Sequence, residues 1–150
     1  MDVRFSEEQK LLRSSARDFL SAECPISFVR EMMEDERGCT DAFWLSIVAL
    51  GWTGLTIDER FGGSSLGPLD LAILMEETGR ALMPGPLFSS LVLGAAVIAQ
   101  AGSDEQKQRW MPEIAAGRLT VAVARSSGPR ILHAWRWPPR CVAGPKKPWS

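Results

Sequence analysis

Apolar residues recur at helical spacing along most of this chain, and polar caps mark where each run begins. Ser6-Glu7-Glu8-Gln9 reads as a capping box, with Ser6 accepting from the amide of Gln9 and Gln9 reaching back. Behind it Leu12, Ala16, Phe19 and Leu20 share one face, while Arg13, Arg17 and Asp18 take the other, and Pro25 stops the helix soon after Glu23. A second helix is predicted over about 27–36, with Phe28, Val29, Met32 and Met33 apolar and Gly38 ending it. Its Glu34-Asp35-Glu36-Arg37 end reads as a solvated face rather than a metal site. Thr40 suits the N-cap of a third helix over 41–50, whose apolar stripe is Phe43, Trp44, Ile47, Val48 and Leu50, and Gly51 suits its C-terminal position.

A loop follows over 54–67 with adjacent glycines at 62 and 63, which read as turn residues. Pro68 fits the first turn of a helix running to about Leu82, and Pro84-Gly85-Pro86 breaks the chain again. The segment 87–101 holds the longest apolar stretch and is expected to be buried on most sides. A membrane helix needs ~20 apolar residues, which this stretch does not reach. Ser103 and Gln106 form a second capping box, ahead of a helix whose Trp110, Met111, Ile114 and Ala115 face inward and which Pro112 is predicted to split or kink. Gly117 closes it, and 119–124 reads as a short strand. The expected fold is all-α: a bundle of five or six helices, followed by one β-strand and an irregular tail. The strand's backbone groups need a partner, yet Pro129, Pro138, Pro139, Pro145 and Pro148 would each remove a ladder donor, and no clear second strand is read in the tail.

Composition changes sharply near Ala124. Residues 1–124 carry all 18 acidic and 11 of the 17 basic residues, a net of −7, whereas 125–150 carry the other 6 basic residues, 5 of 10 prolines, 3 of 6 tryptophans and the only histidine. The domain reading is therefore a helical domain over 1–118, the first strand of an incomplete β domain over 119–124, and an Arg/Pro/Trp-rich tail over 125–150. The tail is expected to be an out-of-frame or rearranged continuation. The overall charge of −1 gives no electrostatic reason for a nucleic-acid partner or an acidic membrane surface. Cys24, Cys39 and Cys141 are odd in number and lack metal-ligand spacing, and the N-terminus lacks a signal-peptide pattern, so a cytoplasmic protein is expected. Glu76 and Glu77 are adjacent on a helix and point apart, His133 has no nucleophile beside it, and no catalytic residue or metal ligand is assigned. Trp135, Arg136 and Trp137 are the one aromatic-basic cluster, and no folded surface is read beneath it.

The order of these signals resembles the N-terminal domain of the acyl-CoA dehydrogenase family over about 2–124. Phe5-Ser6-Glu7-Glu8-Gln9-Lys10-Leu11-Leu12 is similar to the family's opening helix. The segment 54–63 is similar to its G-x-x-x-P-E-E-Y-G-G loop, with Asp58 for the proline, Arg60 for a glutamate and Phe61 for the tyrosine. Glu76-Glu77-Thr78-Gly79-Arg80-Ala81 resembles E-E-L-G-R-A, and the segment 102–112 resembles G-T-E-E-Q-K-Q-R-W-L-P. Each segment alone is a weak signal; four in order are a strong one.

The resemblance implies a flavoprotein that desaturates an acyl-CoA thioester between its α and β carbons. A glutamate base removes the α proton and FAD takes the β hydride, with base and much of the flavin cradle lying beyond the matched segment. It implies FAD as cofactor, acyl-CoA as substrate and a homo- or hetero-oligomeric parent. Backbone of Val123 and Ala124 is then the candidate flavin contact, and Ser89, Ser90, Leu93 and Gly94 are the candidate wall for the acyl group. From Arg125 onward the sequence departs from the family's T-E-P pattern, which counts against FAD binding by this chain alone. The reading is an acyl-CoA dehydrogenase-type flavoprotein lacking the catalytic base; the alternative is a non-catalytic helical fragment or interaction subunit of such an assembly.

Overall fold

The computed structural model describes residues 5–123 and the backbone of 132–135. The tail reading, with Ala124, Cys141 and the side chains of His133, Trp135, Arg136 and Trp137, lies outside the described residues.

Helix α1 spans Glu7–Glu23, and its capping box forms as expected: the Ser6 hydroxyl accepts the Gln9 N–H at 3.1 Å, and the Gln9 side chain accepts the Ser6 N–H at 3.1 Å. Helix α2 covers Ile26–Glu34 and buries Val29 and Met32. Helix α3 covers Asp41–Ala49, capped by the Thr40 hydroxyl accepting the Phe43 N–H at 3.2 Å, and buries Phe43, Trp44 and Ile47. Phe19, Phe28, Phe43 and Trp52 meet in an aromatic cluster, with the Phe19 and Trp52 rings edge to face at 5.4 Å.

The segment between α3 and α4 is a folded loop rather than a free one. It holds two 3₁₀ turns, Trp52–Gly54 and Glu59–Phe61, and closes on itself: Ser64 N–H donates to the Gly54 carbonyl at 3.0 Å, Ser65 N–H to Ile57 at 2.9 Å and Leu66 N–H to Leu55 at 2.8 Å. Gly62 takes a left-handed φ of +81° that ends the second turn. A methyl on Gly63 would collide with the Ile57 carbonyl oxygen, so the glycine pair makes the loop's close approach to itself. Asp58 accepts the Arg60 N–H at 2.9 Å, which gives the residue in the proline's place a capping role.

Helix α4, Pro68–Arg80, lies along α1. Between them Glu77 is 1% exposed. Arg17 clasps its carboxylate with two donors, at 2.7 and 3.0 Å, and Arg13 adds one at 3.0 Å while reaching Glu76 at 2.6 Å. Arg80 stands 3.7 Å away. Hydrogen bonds from Arg17 outweigh the cost of burial and hold the Glu77 carboxyl at about 2, well below its ordinary 4.5. The arginine face of α1 is thus an interhelical clasp, which helical spacing alone does not reveal.

After the Pro84-Gly85-Pro86 break, Phe88–Ala95 is a π-helix that continues into α5, Ala96–Ala101. The expectation of burial on most sides is corrected here: Leu87, Leu91, Ala95 and Ile98 enter the core, but Phe88 is 56% and Leu93 41% exposed. Helix α6 runs unbroken over Asp104–Ala115 from the Ser103 capping box, with Pro112 inside it. The expected split does not occur. Pro112 denies a donor only to the carbonyl of Gln108, an exposed residue that water can serve, and its own carbonyl caps the helix by accepting the Ala116 N–H at 3.0 Å.

Gly117, at φ +67°, turns the chain, and its carbonyl accepts the buried Trp44 indole N–H at 2.9 Å. Strand β1, Thr120–Val123, then pairs antiparallel with β2, Leu132–Trp135, in the register Thr120↔Trp135 to Val123↔Leu132. A second strand is therefore present where none was read. The prolines at 129 and 138 bracket β2 and none interrupts it, so each ladder donor survives. The fold remains mostly helical, with β1 of this two-stranded ladder packed on the π-helix.

Glu77→Gln is expected to destabilise the protein by about 1–3 kcal/mol in chemical denaturation, because two partly exposed arginines lose a buried charged partner. The native Glu77 pKa lies below the unfolded one, so its stabilisation is complete above the ordinary value of 4.5 and is lost as pH falls towards 2. Stability measured across that window should fall more steeply for the wild type than for Glu77→Gln. Gly63→Ala should cost more than about 2 kcal/mol in the same measurement, through the forced shift of the Ile57 backbone.

Candidate functional site

The π-helix separates two surfaces and so organises the candidate site. One side is closed by β1. Ser90 is buried there, and its hydroxyl oxygen accepts the Val121 N–H at 2.9 Å. Gly94 lies on the same side, where an added methyl would stand 2.6 Å from Val121 Cβ. Two of the four candidate acyl-wall residues, Ser90 and Gly94, are thus brought together against the strand rather than against an open pocket. Ser89 and Leu93 are not part of that contact: Ser89 is half-buried, with its hydroxyl donating to the Pro86 carbonyl at 3.0 Å, and Leu93 is exposed.

Two apolar hollows flank this helix. One, of about 360 Å³, lies at its N-terminal end between Met75, Thr78, Leu82, Met83, Leu87 and Phe88. The other, of about 310 Å³, runs under the loop between Ile57, Leu66, Leu71, Val92, Ala96 and Met111. Both are open and dominated by carbon, which suits hydrocarbon rather than a charged group. Phe88, exposed beside the first hollow, is a residue that sequence reasoning missed; its place directly after a Pro-Gly-Pro break was the available signal.

Strand β1 carries the candidate flavin contact. In an antiparallel ladder the N–H and C=O of one residue point to one edge, and alternate residues share that edge. The Val121 N–H is spent on Ser90, away from β2, so Val123 directs its own N–H and C=O to the same edge. Its side chain is 38% exposed.

The titratable groups place limits on the chemistry. Glu77 is the buried carboxylate, and three arginines hold it ionised, so it is too weak a base to take a proton from carbon near neutral pH. Cys24 and Cys39 are buried free thiols, and burial pushes Cys39 up to about 11, which keeps it from serving as a thiolate nucleophile. Among the described residues no cluster of three or more His, Cys, Asp or Glu could hold a metal ion. No helix among them is long and apolar enough to cross a membrane.

Comparison with known proteins gives a consistent result. Residues 6–118 match the family described as acyl-CoA dehydrogenase, N-terminal domain. The acyl-CoA dehydrogenase FadE12 of Mycobacterium tuberculosis is 32% identical over 122 residues, covering 79% of this chain and 30% of that protein. Among solved structures, a variant of the Tcur3481–Tcur3483 steroid ACAD superposes with a TM-score of 0.68 at 30% identity, covering 75% of this chain and 30% of its own. An acyl-CoA dehydrogenase from Bacillus anthracis complexed with FAD superposes with a TM-score of 0.72 at 22% identity, covering 86% of this chain and 23% of its own, a likeness of fold. This chain spans about 30% of the length of the curated relatives it matches.

Gly94→Ala is expected to destabilise the protein by roughly 1–3 kcal/mol, since the added methyl overpacks against Val121. Leu93→Asp, on the open side, should leave the unfolding free energy within about 0.5 kcal/mol of the wild type.

Proposed function

We propose, from the premise that this chain belongs to the acyl-CoA dehydrogenase family, that it supplies the acyl-facing wall and one flavin-facing strand edge of an FAD-dependent enzyme. That enzyme desaturates an acyl-CoA between its α and β carbons. The observation that carries the reading is the two-sided π-helix: away from β1 it exposes Leu93 and Phe88, with Phe88 lining one apolar hollow, and its other side holds β1, which runs on to Val123. When bound, FAD supplies the acceptor for the β hydride.

Each residue has a defined part. Leu93 and Phe88 exclude water from the hydrocarbon arm, and Ser89, small and half-buried, leaves that arm room. Ser90 and Gly94 act behind them, by holding the strand. The Val123 N–H and C=O orient the flavin rim. The α-proton base comes from polypeptide beyond the matched segment, because the buried carboxylate at Glu77 is committed to arginines. The small residues along the helix, among them Ala95, Ala96 and Ala99, suit a bulky acyl group, and the likeness to a steroid ACAD supports the same choice. The assembly is a cytoplasmic homo- or hetero-oligomer.

A second reading, a non-catalytic helical subunit within such an assembly, is favoured by the missing base among the described residues. One assay separates the two. The purified chain is scanned for visible flavin absorption, then given short, branched and polycyclic acyl-CoA thioesters with an artificial electron acceptor. The expected result is acyl-CoA binding without flavin bleaching. Bleaching by substrate would show a base within this chain and overturn the division of labour; failure to bind any thioester would overturn the acyl-wall reading and leave the second. Leu93→Asp should weaken acyl-CoA binding by at least about tenfold, read by calorimetry, because an anion replaces an apolar contact.

A further inference from the structure

We infer that Ser90 is a positioning residue, whose buried hydroxyl holds the edge of β1 opposite β2 in register with the π-helix so that the Val123 edge and the acyl-facing side move as one body. The inference rests on the proposed function for what that body serves, but its geometry stands by itself.

Three observations meet at this point. The Ser90 side chain is 4% exposed and accepts a backbone N–H from Val121, itself 1% exposed, at 2.9 Å. The bond lies on the edge of β1 opposite β2, so it does for one strand position what a third strand would do. Gly94, one turn on, has no side chain, and this lets the Val121 side chain settle on the helix backbone. Hydroxyl and glycine together define both the spacing and the register of strand and helix. A helix packed on a strand through carbon alone can slide; one that satisfies a buried N–H cannot, because sliding leaves that donor unpaired.

Position 90 is therefore chemically specific. Alanine there keeps the volume nearly unchanged and the apolar contacts intact, yet strands the Val121 N–H. A role in packing alone predicts tolerance of that change; a positioning role predicts a local loosening that spreads along β1 to Val123 and spares the rest of the core.

The test uses the whole 150-residue chain, isotopically labelled, as wild type and Ser90→Ala. Hydrogen exchange is followed at the Val121 amide, with amides of α3 and α4 that exchange through local openings leaving the Ser90–Val121 bond intact as references, and the ¹⁵N order parameter is measured at Val123. In Ser90→Ala the Val121 amide should exchange about tenfold faster, as loss of one buried hydrogen bond implies. The references should hold and the Val123 order parameter should drop. Unchanged exchange at Val121, equal acceleration at the reference amides, or an unaltered order parameter at Val123 would each overturn the inference. These measurements use no acyl-CoA and no flavin, so a failed acyl-CoA binding assay overturns the proposed function while the two amide measurements still decide whether Ser90 positions the strand.

Discussion

An ionised carboxylate removed from water must be answered by positive charge or it takes up a proton. Glu77 is answered by Arg13 and Arg17, one turn apart on α1, with Arg80 nearby on its own helix. The clasp ties residues sixty or more positions apart and fixes how α1 lies on α4. It also sets the registry of much that follows, because α4 leads through the Pro-Gly-Pro break into the π-helix. Gln9 and Asp70 repeat the link at the other end of the helix pair, at 3.2 Å. A hydrophobic contact would hold the two helices together; the charges specify a single way of doing so.

From that frame the π-helix receives two neighbours of different character. β1 presses on Ser90 and Gly94, and the opposite side remains open at Phe88 and Leu93. A π-helix is an uncommon conformation that recurs at functional sites. In the proposed function it stands between the hydrocarbon-facing side and the flavin-facing strand. The carboxylate of Glu77, buried deeply enough to invite a catalytic reading, instead has the wrong proton affinity for a base. Burial marks it as important, and its pKa marks it as structural.

Much of the fold was legible beforehand because the signals were local. Both capping boxes, Thr40 at its N-cap, Pro68 at a first turn and the turn role of Gly62-Gly63 each depend on residues within a few positions of one another. The misreadings share the opposite property. Whether Pro112 breaks a helix depends on whether water can serve the Gln108 carbonyl. Whether β1 finds a partner depends on where β2 comes to lie. Within the candidate site, proximity along the chain grouped Ser89, Ser90, Leu93 and Gly94, but successive positions on a helix face different neighbours, and the group divides into two pairs.

The helical class and the family could be read along the chain, because caps, breaks and periodicity are short-range and independent of the rest of the molecule. That Arg13 and Arg17 clasp Glu77, that Ser90 serves a strand rather than a ligand, and that Leu93 stands open was settled only when the elements packed. Those outcomes turn on which distant groups arrive at a buried donor, a buried charge or an apolar face. That arrival is set by the packing of whole elements, which no local pattern encodes.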